Sequence, residues 1–170
     1  MATYARNLGK YFNVSAGAVP ADAVAAAITG NRVHLDKGTS VTFVVIASAG
    51  STDILDVDLQ QHTVATGGTP ADLDIVTDYW YQSETTLDGD EVWTKASQTA
   101  ASEITNVGAA STENLLVIEV GADQLDAGYE WVSLNVPDLG TNGTKYVAIL
   151  NIVCGLHAQR APENLAALSA

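Results

Sequence analysis

Two apolar segments late in the chain constrain its fold more than any other feature. The first is Tyr129-Glu130-Trp131-Val132-Ser133-Leu134-Asn135-Val136 and the second is Lys145-Tyr146-Val147-Ala148-Ile149-Leu150-Asn151-Ile152-Val153-Cys154. Pro137-Asp138-Leu139-Gly140-Thr141-Asn142-Gly143 between them is dense in residues that break strands and set turns. Strand side chains alternate, so Val132, Leu134 and Val136 share one face of the first segment. The second is apolar on both faces over most of its length, which predicts that both faces are covered. The two segments thus read as a hairpin at the centre of a β-sandwich.

The preceding chain alternates between strand and turn signals. Val41–Ala47 is rich in β-branched residues and ends at Ser48-Ala49-Gly50-Ser51. In Ile54–Gln60, Leu55, Val57 and Leu59 face one way and Asp56, Asp58 and Gln60 the other, a half-buried strand with a wet face. Thr66–Asp72 is loop by composition, and Ile75–Gln82 is the next strand. Asp88-Gly89-Asp90 is a hairpin signal leading into Glu91–Thr94. Ala96–Thr112 is small and polar, with one weak strand expected near Ile104, and Leu115–Val120 is a further strand. Some eight short strands, joined by connections too short for repeated βαβ crossovers, predict an all-β antiparallel sandwich.

Residues 1–30 differ in character. Gly, Asn and Ser mix there with Tyr4, Leu8, Tyr11, Phe12 and Val14, and Arg6 and Lys10 supply two of the seven cations. Pro20–Ile28 has high helix propensity, with Pro20 in a first turn and Gly30 as a stop, although two turns need packing to persist. The region reads as an extended arm with a short helix. An N-terminal strand of the sandwich stays open for residues 8–15. The expected organisation is an arm over 1–30, a sandwich over 31–158 and a tail over 159–170.

A chain of 170 residues forms one domain that buries roughly 70% of its unfolded surface without disulfides. Cys154 lies among Ile152, Val153 and Leu156, so it reads as a small buried apolar residue rather than a reactive thiol. No signal-peptide core is visible and no run approaches the ~20 apolar residues of a spanning helix. The expectation is a protein made in a cytoplasm and soluble there, with no membrane partner. Seven Lys and Arg against 20 Asp and Glu give a net charge of −13. Such a field repels phosphates, which excludes nucleic acid as the expected partner.

Signals for chemistry are weak. His34, His62 and His157 show no ligand spacing, and one cysteine cannot complete a zinc site of the usual kind. Asp53, Asp56 and Asp58, or Asp88, Asp90 and Glu91, offer oxygens to a hard cation, but neither group follows the EF-hand loop. Strand and turn chemistry explain both. Carboxylate pairs at glycosidase spacing arise by chance in so acidic a chain, and no nucleophile elbow, P-loop or dinucleotide fingerprint occurs. The expectation is no enzyme, no metal and no cofactor. Tyr79, Trp80, Tyr81, Trp93 and Trp131 could stack on a sugar, yet aromatics also fill sandwich cores and interfaces. With large aromatics on both faces of Tyr79-Trp80-Tyr81, that strand is either covered twice or meets another chain.

Several segments together resemble the small β-sandwich, jelly-roll-like head proteins of tailed bacteriophages, of the decoration or minor capsid type. They are Leu59–Thr63, Val76–Trp80, Ile118–Leu125, Gly128–Leu134 and Gln159–Leu165, within a likeness covering roughly residues 40–165. The pattern Asp-x-Leu-x-x-Gly-Tyr-x-x-Val, a final apolar strand and an Arg-x-Pro tail is distinctive in combination. The resemblance implies a structural virion protein on the capsid exterior, reinforcing contacts between major capsid proteins and itself trimeric. An anionic body suits that exterior location. Tyr4, Leu8, Tyr11 and Phe12, with Arg6 and Lys10 pairing to acidic groups, are the expected protein contacts, and Arg160 is a second contact candidate. A carbohydrate-binding or adhesion module built on exposed aromatics is the alternative, and a hydrolase with a carboxylate site is a residual one.

Overall fold

Alternation of apolar and polar residues builds most of the strands in this computed structural model, which describes residues 7–169. They are β1 (Phe12–Asp22), β2 (Val33–His34), β3 (Ser40–Ala47), β4 (Leu55–His62), β5 (Ala71–Asp72) and β6 (Val76–Glu84). β7 (Thr94–Ala101), β8 (Glu103–Val107), β9 (Glu113–Gly121), β10 (Trp131–Asn135) and β11 (Tyr146–Cys154) complete the set. Among the described residues the only helical pieces are 3-10 turns of three residues, one of them at Pro162–Asn164. The expected all-β antiparallel sandwich is what forms.

One sheet runs β1-β11-β3-β9-β6-β7 and the other β2-β10-β4-β5, with β8 pairing β4 beyond the reach of short β5. With the β6–β8 segment set aside, the remaining strands follow the double Greek-key order of a jelly roll, β1-β11-β3-β9 over β2-β10-β4-β5. The β6–β7 hairpin widens the first sheet. Its inner face (Phe43 and Val45 of β3, Leu116 and Ile118 of β9, Val147 and Ile149 of β11) packs on Leu55, Val57, Leu59, Val132 and Leu134 of the second.

Four expectations need correction. Pro20–Ile28 is not helical. β1 runs to Asp22 as an edge strand on β11, where the missing N–H of Pro20 costs no ladder bond. Ala23 then bonds Lys145 through its backbone, and Ile28 pairs with Val136. These long-range pairings outweigh a propensity worth less than two turns of helix. Residues 12–22 are therefore a strand of the sandwich and not an arm; the strand left open above for residues 8–15 begins at Phe12 and runs on to Asp22.

β10 and β11 are not a hairpin either. They lie in different sheets, each at an inner position, because 137–145 carries the chain across the sandwich with Gly140 and Gly143 at positive φ. Thr94–Ala101 and Glu103–Val107 form two strands where one weak strand was expected, and Glu91–Trp93 stays outside them. Finally, among the described residues β11 is covered on one face only. Val147, Ile149, Asn151 and Val153 are buried, while Tyr146 and Leu150 on the other side are 54% and 41% exposed.

Candidate protein-interaction surface

The open side of β11 belongs to a broad apolar face. Strand register aligns Ala16, Leu150, Val44, Val117, Trp80 and Lys95 in one row across all six strands. The next row holds Ala148, Ile46, Leu115 and Gln82. On the other flank, Val14, Ile152, Thr42 and Glu119 form a third. Six of the eleven large hydrophobic side chains left exposed among the described residues lie here: Val14, Ile46, Trp80, Trp93, Tyr146 and Leu150. Contiguous apolar surface of this kind marks interaction sites rather than ordinary solvent-facing sheet.

Its charges sit at the margins. Glu119 and Asp78 stand near one end, with the Lys95 ammonium 3.1 Å from Asp78. Hydrogen bonds from Ser97 and Lys95 hold the Asp78 carboxyl below its usual range. Glu84 and Glu113 pair at the other end. The face is not smooth. Hollows of about 430 and 310 Å³ flank the Trp80 indole, the smaller one shared with Trp93, Val117 and Glu119. A third, of about 360 Å³, opens beside Tyr146 and Ile46.

The outer face of the second sheet is polar and capped. Asn135 donates to Gln60, His62 pairs with Ser133 at 2.9 Å, and Arg32 donates to the carbonyls of Val64 and Gly67. The two outer faces thus differ sharply in what they can meet.

A second candidate surface gathers the sequence-predicted contact residues. Tyr4 and Arg6 lie outside the described residues. Asn7–Phe12 closes a tight turn, with the Tyr11 amide bonding the Asn7 carbonyl at 2.9 Å. The Arg160 amide donates to the Gly9 carbonyl at 2.9 Å, so Leu8, Lys10, Tyr11 and Phe12 share one corner with Arg160. Gly9 is required there: its φ is +80°, and a Cβ would strike the Arg160 carbonyl. Leu8 and Tyr11 are 39% and 57% exposed, and the Lys10 ammonium sits 4.8 Å from the Tyr11 ring centre. Phe12 is half-buried. The tail folds back on the body, with Leu168 buried and Ala166 accepting from the Asn13 side chain.

Residues weighed for chemistry are dispersed. His34 stacks on Trp131 at 4.3 Å and reaches Asp36 (2.6 Å) and Glu130 (3.2 Å). His62 is buried and has no partner on Nδ1 among the described residues. Among the described residues no carboxylate bonds it, and Ser133 beside it is equally sealed from solvent. His157 bonds the Asp36 carbonyl from an exposed loop. Asp53 is committed to Asn142, whose hydrogen bonds lower its pKa, and Asp56 to the Asn106 amide. Carboxylate oxygens of Asp88, Asp90 and Glu91 do converge within 4.8 Å, but Glu91 already accepts from the Asp88 and Gly89 amides. Cys154 is half-buried at the end of the apolar face instead of within the core.

Sequence reasoning missed the rows as such. Their signal lay in Val41–Ala47, Leu115–Val120 and Val147–Val153, which are apolar on both faces, but only register shows that the second faces coincide. Comparison with family models, characterised proteins and solved structures finds no match.

Proposed function

We propose that this protein is a structural virion component that sits on the exterior of a bacteriophage capsid and braces its major capsid proteins. One observation carries the reading: exposed apolar side chains gather on a broad sheet face and on a terminal corner, not in a cleft with converging polar groups. Surfaces of that shape recognise other proteins. The jelly-roll order occurs in capsid proteins and in lectins, so the fold permits this role without fixing it. The corner built by Leu8, Tyr11 and Arg160 is the contact assigned to the capsid. A body of net charge −13 is compatible with an exterior site and unsuited to packed DNA.

The test is imaging of purified particles made with and without this chain. Density on the outside of the shell, lost when the chain is deleted and weakened by Tyr11→Asp, is the expected result. Density inside the shell, or particles lacking the chain altogether, overturns the proposal. A second reading, a carbohydrate-binding module, is favoured by the Trp80–Trp93 hollow alone. It requires a change in Trp emission on adding glycans that Trp80→Ala abolishes.

A further inference from the structure

We infer that the apolar face of the six-stranded sheet is a self-association surface, occupied by the same face of a second copy of this chain. Size is the first reason. Six strands at ~4.8 Å spacing and about eight residues of ~3.3 Å rise present roughly 750 Å². A standard stable interface takes ~800 Å² from each partner.

Charge is the second. In a chain of net −13, most encounters between copies set carboxylates against carboxylates. The two central rows carry no carboxylate, and Lys95 at their edge is paired to Asp78. Two copies meet across these rows at low electrostatic cost.

Relief is the third. A two-fold axis running along the strands between β3 and β9 places Leu150 of one copy over the Trp80 hollows of the other. The same axis sets Glu119 opposite Thr42, avoiding a like-charge contact. One patch that complements itself closes as a pair, whereas the phage resemblance implies a trimer. Pairing is measured on the isolated chain, so its outcome is separate from the outcome of particle imaging.

The experiment is sedimentation of the full chain from ~1 to ~100 µM, with Trp emission followed in parallel. The expected species has twice the 17.7 kDa chain mass, and its emission shifts to the blue as Trp80 and Trp93 leave water. Leu150→Glu and, separately, Ile46→Lys are expected to weaken pairing on the order of 100-fold. Val64→Glu, an exposed apolar position off this face, leaves it unchanged. Two face variants guard against misfolding of either, which circular dichroism detects. A monomer at ~100 µM, a trimer, or a dimer indifferent to both face variants overturns the inference.

Discussion

His62 is the cross-strand partner of Trp131, yet only 4% of it is exposed, and its Nε2 bonds the Ser133 hydroxyl. Burial first, and the Arg32 charge second, push its pKa down to about 4. In the unfolded chain the same imidazole titrates near 6.5. Between those values the unfolded state binds the extra proton, so stability falls as pH drops from about 6.5 towards 4. At pH 5 this site alone costs about 2 kcal/mol relative to neutral pH. Carboxylates add their own slopes, downward for those with lowered pKa such as Asp53 and opposite for Asp58, whose burial raises its pKa. The difference between wild type and His62→Gln cancels them. Denaturant melts at pH 7 and pH 5 are expected to show a smaller loss in the variant; equal losses contradict a buried neutral imidazole.

β1 forms one edge of the larger sheet. Its register with β11 runs from Phe12 against Cys154 to Asp22 against Tyr146, with irregularities after Ala16 and Ala18. Removing residues 1–19 therefore strips an edge strand and uncovers one side of Ile149 and Val153. Such a truncation is expected to cost at least ~3 kcal/mol, roughly 10 °C in Tm, whereas removal of residues 1–11 keeps β1 and costs far less. Thermal melts of the two truncations decide it. The N-terminal arm read from sequence implied the opposite for 1–19, and the reason is local. The alanine-rich stretch after Pro20 carries propensity but no periodicity, whereas its pairing with Lys145 and Val136 is more than a hundred residues away. Leu55, Val57 and Leu59 were legible as one buried face because alternation is a local signal. Sheet membership was not: β10 and β11 carry the marks of a hairpin, and only the topology sends them to different sheets. The interaction surface was half legible. Two-faced apolar strands announced a cover on each side, but not that the described residues cover only one side of β11.

For the whole molecule, the balance between a charge-poor face and an anionic body makes association sensitive to salt in a definite direction. Apolar contact drives pairing and is little affected by modest ionic strength. Long-range repulsion between two bodies of −13 opposes it. That repulsion reaches ~30 Å at 0.01 M ionic strength but only ~10 Å at 0.1 M. Pairing is therefore expected to tighten several-fold when ionic strength rises from ~0.01 to ~0.2 M. An interface built on ion pairs behaves the other way, since salt screens the attraction that holds it together. Sedimentation across that range separates the two cases, and dissociation on adding salt removes the apolar face as the site of contact. The corner proposed above to touch the capsid responds in the opposite sense. Lys10 and Arg160 there are cations on an acidic molecule, so contact through them to acidic groups weakens with salt while pairing through the sheet strengthens. Opposite salt slopes for particle binding and for self-association would assign the two contacts to separate surfaces of one sandwich.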